Sequence, residues 1–506
     1  MTAFIHSCGL LGLQGFDVQV EVDAAGGLPG FEIVGLPDAA IKESKERVRA
    51  AMRNSGASFP LKRIIVNLSP ADIPKNGALY DLPILIGLLC ASGQLEWNNE
   101  ALIFGQLSLS GEVLPVRGAL SMVRFAAAAG YPAVFLPEGN LGEVRYVNNI
   151  AIFPVRSVQQ LLAHVRGESR IEPIAPAEFS GAQGLLSVDF SEVMGQATAR
   201  RALEIAAAGN HNILLIGPPG SGKSMLAKRF PTILPDLSFE EALESTEIHS
   251  VASQLVADEL LRIRPFRSPH HTASPVALCG GGNHITPGEI SLAHNGVLFL
   301  DEFPEFPPKM LEALRQPLED NQITVSRAAG SITYPANFIL LAAMNPCPCG
   351  FLGHPTKPCH CTEAAIRRYH RRISGPILDR IDLHIDVPAV EYGQIASTQK
   401  AESSAEIRKR VNAARAIQAE RYKALSITKN ADLSGADIKK FCVPDALGDR
   451  FLKLKFESDA ISARGYTRIL KVARTIADLE GSEEIRMEHI AEAFQYRTSG
   501  QKYHLE

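Results

Sequence analysis

A glycine-rich stretch constrains the fold of this chain more than any other feature. It follows the apolar run 213–216, and it opens a segment whose spacing is compatible with a helix. In the pattern G-x-x-x-x-G-K-[ST], glycines let backbone N–H groups wrap a phosphate while the helix N-terminus adds positive potential. The sequence therefore predicts an α/β nucleotide-binding domain whose phosphate loop is Gly217, Pro218, Pro219, Gly220, Ser221, Gly222, Lys223 and Ser224.

Two acids at the end of a later strand complete the expected ATP chemistry. The apolar run 297–300 ends in Asp301 and Glu302. We expect Lys223 to reach the β- and γ-phosphates, and Ser224 and Asp301 to hold Mg²⁺. Glu302 would polarise the attacking water. The predicted cofactors are ATP and Mg²⁺.

A third strand, 339–344, ends at Asn345. If this strand lies between the two phosphate motifs, the Asn345 side chain reaches the γ-phosphate and orients water. The alternative is an ordinary turn asparagine before Pro346.

Arginines supply the charge that phosphoryl transfer needs. Arg380 is placed to reach the γ-phosphate of a neighbouring subunit, which makes hydrolysis depend on assembly. The alternative is a surface salt bridge with Asp379 or Asp382. Arg464 begins a C-terminal helix and could fold back over the same nucleotide, with Arg468 as the rival candidate.

Size and composition restrict the classes of protein to which this chain can belong. The chain has 506 residues, 46% of them apolar, and a net charge of −4, so any DNA contact must be local. No apolar run approaches the ~18–20 residues that span a bilayer. The N-terminus lacks the basic region of a signal peptide. We expect a cytoplasmic protein that makes no membrane contact.

The motifs divide the chain into four parts. The first is mixed α/β, the second is rich in proline and small residues, the third holds the nucleotide motifs, and the last is helical in pattern. The predicted parts are an N-terminal domain at 1–167, a linker at 168–188, an ATPase core at 189–395 and a helical lid at 396–506.

Two C-x-C pairs suggest a metal in a reducing compartment. Four soft ligands on a short loop suit tetrahedral zinc, with His354 and His360 available as substitutes. Free thiols or a redox pair are the alternatives. The predicted structural zinc ligands, within 347–361, are Cys347, Cys349, Cys359 and Cys361.

Two insertions are candidates for gripping DNA. One is the flexible glycine-rich tip 279–284. The other is a hairpin at 323–334 that carries Arg327 near its turn, where it could track a phosphate backbone. A plain surface hairpin is the alternative.

Two further clusters stay ambiguous. The basic run 367–372 could touch DNA, could serve a neighbouring ATP, or could be a solvated helix face. His270 and His271 could suggest a metal, although hydrogen-bonded loop histidines are the simpler interpretation.

The order of these motifs resembles an AAA+ ATPase. The segment 189–196, which ends in Gln196, is similar to the part that cups adenine in that superfamily. The stretches 264–272 and 287–294 are similar to magnesium-chelatase-like members. Together with the N-terminal domain, the chain resembles the YifB/ComM family of competence-associated ATPases. That resemblance implies an ATP-driven homo-hexameric DNA helicase that moves branch points during DNA uptake and recombination. The implied partner is single-stranded or branched DNA.

The N-terminal domain resembles Lon-type proteases at 74–81 and 111–120. The position of the catalytic serine falls on Leu79 and that of the lysine on Leu120, and leucine can neither attack a carbonyl nor accept a proton. The expected fold is α/β: an AAA+ P-loop core with a C-terminal helical lid, preceded by a Lon-protease-like (S5-type) domain that lacks the catalytic dyad.

Other functions stay open as alternatives. A magnesium-chelatase-like ATPase that remodels a protein partner shares the core motifs. An ATP-dependent protease is disfavoured by Leu79 and Leu120, and a non-hydrolysing switch is disfavoured by Glu302 and Arg380.

Overall fold

A computed structural model of the protein describes residues 2–97, 100–179, 187–255, 259–282, 285–327, 330–389, 401–425, 427–458 and 462–501. The chain divides into two compact units. The first comprises Met1–Gly181 with Ser238–Leu261, and the second comprises Ala182–Leu237 with Arg262–Glu506. The predicted boundary at 395/396 and residues 180–186 of the predicted linker lie outside the described residues.

Within the described residues, a four-stranded sheet and a smaller parallel sheet form the first unit. The strand Gln14–Ala25 alternates buried and half-buried positions, as expected when one face covers a core. The helix Asp81–Ala91 is apolar on all sides and buried in that core. In spatial order, the larger sheet is Thr2–Leu11, Gln14–Ala25, Arg63–Ser69 and Gly30–Val34, and the smaller is Leu102–Ile103, Ala133–Pro137 and Ala151–Val155. The other elements are the ribbon Gln106–Leu107 with Val113–Leu114, the helices Ala39–Lys42, Ser44–Asn54, Ala119–Ala128, Leu141–Val144, Val158–Val165 and Phe239–Val251, and the 3₁₀ turns Ala78–Tyr80 and Glu138–Asn140.

The helix Phe239–Val251 belongs to the first unit although the sequence prediction kept it within 189–395. Ser238 begins it with a capping box. The Ser250 hydroxyl accepts a hydrogen bond from the Gly118 N–H at 2.9 Å. An ion pair of 3.1 Å also joins Glu247 to Arg124. These contacts are long-range, which is why the local pattern of residues did not reveal them.

The second unit is built on a parallel sheet. Its three central strands, Val297–Leu300, Ile339–Met344 and Ile213–Ile216, are apolar and buried on both faces, as expected for a sheet covered by helices. In spatial order the strands are Phe266–Arg267, Val297–Leu300, Ile339–Met344, Ile213–Ile216 and Leu383–Asp386. The helices of this part are Ala197–Gly209, Lys223–Arg229, Pro275–Cys279, Glu289–Leu292, Pro308–Ala313, Arg315–Asp320, Glu363–His370 and Gly375–Leu378, with 3₁₀ turns at Phe190–Glu192, Phe230–Ile233 and Phe303–Glu305.

The C-terminal part of the second unit is helical, as the sequence predicts. Ser403 begins its first helix with a capping box. Gln418 on that helix donates to the Ala208 carbonyl at 3.1 Å, which fastens it to the helix Ala197–Gly209. In the described ranges, no helix combines the length and the apolar character needed to cross a membrane. The helices are Ser404–Arg421, Gly435–Phe441, Ala446–Ser458, Ala463–Leu479 and Met487–Gln501, with a 3₁₀ turn at Asn430–Asp432.

Candidate nucleotide-binding site

The parallel sheet brings the predicted phosphate motifs to one edge. The strand Ile339–Met344 pairs with Ile213–Ile216 on one side and with Val297–Leu300 on the other. Because the carboxyl ends of parallel strands lie at the same edge, the phosphate loop, the two acids and Asn345 all follow strands that end there. The predicted central place of the Asn345 strand is confirmed.

Glycine is required at three positions of the phosphate loop. Gly220 and Gly222 have φ of 76° and 89°, in the left-handed region that favours glycine. A Cβ on Gly217 would lie 2.2 Å from the Val387 carbonyl oxygen. Ser221 is buried, and its hydroxyl has no hydrogen-bond partner among the described residues. The loop therefore keeps a tight curve that other residue types would distort.

Lys223 is held between the loop and the neighbouring strand. Its ammonium donates to the carbonyls of Gly217 at 2.7 Å and Pro218 at 3.0 Å. It also donates to Asn345 Oδ1 at 3.2 Å. Burial lowers the pKa of Lys223 to about 8, and the charge of Asp301 opposes that shift. A cation so placed is ready to meet phosphate oxygens.

Ser224 and Asp301 form the oxygen pair expected of a magnesium site. The Ser224 hydroxyl donates to Asp301 Oδ2 at 2.7 Å. The other carboxylate oxygen of Asp301 accepts from the Glu302 N–H at 2.9 Å. Hydroxyl and carboxylate oxygens are the ligands that Mg²⁺ takes beside phosphate, so these residues fit the ion.

Glu302 lies at the same edge with its side chain 56% exposed. Its φ is 52°, a left-handed conformation that is uncommon outside glycine and that clusters at functional sites. Its Oε2 lies 3.1 Å from His271 Nδ1. The sequence analysis considered His271 as a metal ligand or as a hydrogen-bonded loop histidine, and it did not predict the place of His271 beside Glu302.

Gln196 fastens the segment predicted to cup adenine. Its side-chain amide donates to the Pro388 carbonyl at 2.7 Å and to the Ser221 carbonyl at 3.3 Å. At the other end of the segment, Asp189 accepts from the Ser404 N–H at 3.2 Å. The segment is thus attached to the phosphate loop and to the first C-terminal helix.

Arg380 is buried in the single chain rather than displayed at its surface. It is 3% exposed. Its guanidinium pairs with Glu319 and donates to the Pro376 carbonyl. Neither acid that flanks it, Asp379 or Asp382, is the observed partner. The role of Arg380 in a neighbour's site stays a prediction, and Glu319 is a partner that the sequence did not suggest.

The two candidate arginines of the C-terminal region differ in their contacts. Arg468 pairs with Asp382 and donates to the Arg380 carbonyl at 3.1 Å. Burial alone would raise the pKa of Asp382, but Arg468 and His211 lower it below its ordinary value. Arg464 is exposed in the first turn of the helix Ala463–Leu479. Arg468 is already engaged in the core, whereas Arg464 is available to a ligand.

The four predicted zinc ligands converge. All their Sγ atoms lie within 4.8 Å of one another. The Cys347–Cys349 distance is 3.4 Å, and Cys359 is 3.6 Å from each of the two. A tetrahedral zinc with Zn–S bonds of about 2.3 Å sets its sulfurs about 3.8 Å apart. A backbone hydrogen bond from Phe351 lowers the pKa of Cys349 to about 6, whereas the pKa values of Cys347, Cys359 and Cys361 are raised, those of Cys347 and Cys361 chiefly by burial, so the fit to zinc rests on the geometry of the four sulfurs. The donor set fits the metal.

The cysteine loop lies against the phosphate loop. A Cβ on Gly350 would sit 2.5 Å from Pro219 Cδ, so the two loops touch. His370 Nε2 lies 2.9 Å from the Pro346 carbonyl oxygen, which anchors the start of the cysteine loop. The cluster is therefore close enough to brace the loop that would hold phosphate.

The expected hairpin is confirmed, and it lies beside the glycine-rich tip. The strands Gln322–Arg327 and Gly330–Pro335 pair antiparallel. In the tip, Gly280–Gly281 pairs with Thr286–Pro287 to form what we call the glycine ribbon. Residues 283–284 of the tip and 328–329 of the hairpin turn lie outside the described residues.

Direct contacts join the hairpin to the glycine ribbon. Tyr334 on the hairpin donates its hydroxyl to the Ile285 carbonyl at 2.7 Å. A Cβ on Gly281 would lie 2.7 Å from Arg327 Nη2, so the guanidinium rests on the ribbon backbone. Arg327 is exposed. The two insertions, predicted separately, thus present one surface.

The basic run is partly neutralised by local acids. Arg367 pairs with Glu363 on the same helix, and Arg372 lies 2.6 Å from Glu305. Within the run 367–372, Arg368 and Arg371 are the exposed arginines for which the structure describes no ion pair.

In the first unit, the sequence predicts that Leu79 and Leu120 stand where Lon-type proteases have their catalytic pair. Leu120 is fully buried, and Leu79 packs against the core. Neither residue offers a nucleophile or a base.

Three models of magnesium chelatase families match the chain. "Magnesium chelatase, subunit ChlI" matches residues 189–395. "Subunit ChlI of Mg-chelatase" matches 20–140, and "Magnesium chelatase, subunit ChlI C-terminal" matches 401–497. Together with the strand-end geometry, these matches define a magnesium-chelatase-like AAA+ ATPase.

Relatives that match almost the whole chain show which family of magnesium-chelatase-like ATPases it belongs to. The uncharacterized protein YifB of Salmonella typhimurium is 45% identical, covering 98% of this chain and 97% of the relative. The competence protein ComM of Haemophilus influenzae is 42% identical over the same shares. A Lon protease of Trichlorobacter lovleyi is 23% identical over 29% of this chain and 19% of its own length. The chain belongs to the YifB/ComM family.

Proposed function

We propose that the protein forms rings that use ATP hydrolysis to act on DNA, as a helicase that moves branch points in recombination or natural transformation. The observation that carries this proposal is the joint surface of the hairpin and the glycine ribbon, where Arg327 rests on Gly281. That surface belongs to the same unit as the nucleotide site. The name of the relative ComM, a competence protein, supports the biological setting.

In this proposal the strand-end residues carry out hydrolysis. Lys223 binds the β- and γ-phosphates. Ser224 and Asp301 hold Mg²⁺, which neutralises charge on the phosphate oxygens when it is bound. Glu302 takes a proton from the attacking water, and Asn345 orients that water.

The arginines act when subunits assemble. Arg380 serves the γ-phosphate of the adjacent subunit, so assembly must replace its present pairing with Glu319. Arg464 closes over the nucleotide of its own subunit from the C-terminal helices. Six subunits in a ring is the arrangement that the family resemblance implies.

The DNA contact rests on local charge, because the whole chain carries −4. Arg327 is exposed on a narrow hairpin, where it can follow a phosphate backbone. Cys347, Cys349, Cys359 and Cys361 hold a structural zinc that stiffens the loop against the phosphate loop. The first unit serves as a Lon-like binding or assembly domain without peptidase activity.

An anisotropy titration with a labelled single-stranded oligonucleotide tests the DNA contact. Arg327→Ala should weaken binding about tenfold and lower the salt slope by about one. The matched control is Arg315→Ala, which removes an exposed arginine paired with Glu312. Equal losses in both variants, or none in either, would remove Arg327 from the DNA surface.

A second candidate function is a chelatase-like ATPase that remodels a protein partner. The observation that favours it is the match of three magnesium chelatase models across the chain. ATP hydrolysis that is intact but indifferent to DNA, together with no binding in the anisotropy titration, would select it over the first.

A further inference from the structure

A histidine outside the predicted ATPase motifs contacts the residue assigned to activate water. His271 Nδ1 lies 3.1 Å from Glu302 Oε2. Because a carboxylate only accepts hydrogen bonds, His271 can donate to Glu302 in this contact only with a proton on Nδ1. The contact occupies one carboxylate oxygen and leaves Oε1 to take a proton from water.

Glu302 needs such a partner. Its backbone is fixed by the N–H bond to Asp301 and by its left-handed φ of 52°. Its side chain, however, is 56% exposed, and a long exposed side chain samples several rotamers. Among the described residues, His271 is the side chain seen to hold the Glu302 carboxylate. Fixing that carboxylate removes rotational freedom that would otherwise dilute the reactive geometry.

His271 is itself braced on two sides. Its ring lies 4.1 Å from the ring of His270, centroid to centroid. It also meets the ring of Phe306 edge-on at 6.4 Å, and Phe306 is buried. His270 is tied in turn to Thr272 by a 2.8 Å hydrogen bond. These contacts restrict the His271 ring, and the restricted ring can in turn orient the Glu302 carboxylate.

We infer that His271 is a positioning residue for ATP hydrolysis, one that sets the orientation of the Glu302 carboxylate toward the attacking water. This inference rests on the proposed role of Glu302. It assigns His271 no contact with the nucleotide, so its removal should slow the chemical step and leave ATP affinity unchanged.

Steady-state ATP hydrolysis by the full chain tests the inference. His271→Ala should lower kcat about 10- to 100-fold while KM stays within about twofold. His271→Asn should recover most of that loss, since its amide nitrogen can replace Nδ1 as a donor to Glu302. The control is His6→Gln, which changes a histidine on the strand Thr2–Leu11 of the first unit and leaves the contact with Glu302 in place, and it should stay within about threefold of wild type.

Glu302→Gln separates failure of the inference from failure of the proposed function. If Glu302→Gln hydrolyses ATP normally, Glu302 does not activate the water, and the inferred role of His271 is then wrong as well. If Glu302→Gln is inactive and His271→Ala keeps its kcat, only the inference on His271 is overturned. A rise in KM that Asn does not rescue would mark His271 as a structural residue, which also overturns it. In the double variant, His271→Ala should add nothing to the loss from Glu302→Gln, because both act through one carboxylate.

Discussion

In the second unit, the residues at the strand ends and the candidate arginines differ in whether a single chain brings them together. Lys223 and Asn345 lie 3.2 Å apart, and Ser224 bonds Asp301 at 2.7 Å, so the strand-end set is already assembled in one chain. Arg380 is instead buried against Glu319, and Arg464 is exposed at a helix start.

This difference predicts that ATP binding and ATP hydrolysis have different structural requirements. The strand-end set is fixed by a parallel sheet, whose geometry one subunit completes alone. In the proposed function, the arginines contact phosphate only after another subunit binds or the C-terminal helices close over a ligand. We therefore expect a lone subunit to bind ATP and an assembled ring to hydrolyse it.

The largest expected effect breaks the strand-end set itself. Lys223→Ala removes the cation that bonds Gly217, Pro218 and Asn345, so both ATP binding and hydrolysis should fall to background. Fluorescence of a labelled ATP analogue measures binding, and phosphate release measures hydrolysis. Lys228→Ala, an exposed lysine on the same helix, is the control and should bind normally. Retained binding by Lys223→Ala would contradict the site.

The next effect tests whether Arg380 acts across a subunit boundary. Arg380→Ala should bind ATP but hydrolyse it about 1,000-fold more slowly. Mixing it with Glu302→Gln should restore measurable turnover, because the intact Arg380 of one variant then serves the intact Glu302 of the other. No recovery on mixing would place Arg380 in its own subunit's structure, where its burial against Glu319 already puts it.

The strand-end set could be predicted from sequence because each motif is short and follows an apolar strand. The pairing of Arg380 could not, since Glu319 lies on another element and the two flanking acids looked like better partners. His271 was visible as a residue, but its distance to Glu302 depends on how the loop after Phe266–Arg267 turns. The place of 238–261 in the first unit likewise depends on distant contacts such as Ser250 with Gly118.

A smaller effect distinguishes the two arginines of the C-terminal helix. Arg464→Ala should slow hydrolysis about tenfold and leave the melting temperature unchanged, because the side chain is exposed. Arg468→Ala should instead lower stability, since it leaves the buried Asp382 carboxylate without a guanidinium. Kinetics and thermal unfolding of both variants decide the matter. If Arg464→Ala instead lowered the stability and Arg468→Ala only slowed hydrolysis, the roles assigned to the two arginines would be exchanged.

Asp382 also gives a pH signature for that region. Its pKa is lowered in the folded chain, so its contribution to stability is present above the unfolded carboxyl pKa of about 4 and is lost as the pH falls below it. The free energy of unfolding of the wild type should therefore drop more steeply below about pH 4 than that of Arg468→Ala. Denaturant unfolding at several pH values measures this, and parallel curves would contradict the pairing.

The smallest effect on turnover concerns the cysteine loop. Cys349→Ser should abolish stoichiometric zinc, measured by metal analysis, and lower the melting temperature. Hydrolysis should stay within about threefold of wild type, because the cluster braces the phosphate loop without touching the reacting atoms. Cys442→Ser, a buried cysteine elsewhere, should keep the zinc. Zinc retained by Cys349→Ser would remove that thiol from the ligand set.

Displacement of a labelled strand from a three-strand DNA junction tests the central claim most directly. The wild type with ATP should move the branch point and release the strand, and Glu302→Gln with ATP should bind the junction and release nothing. Intact ATP hydrolysis by the wild type without any strand release would contradict a DNA motor.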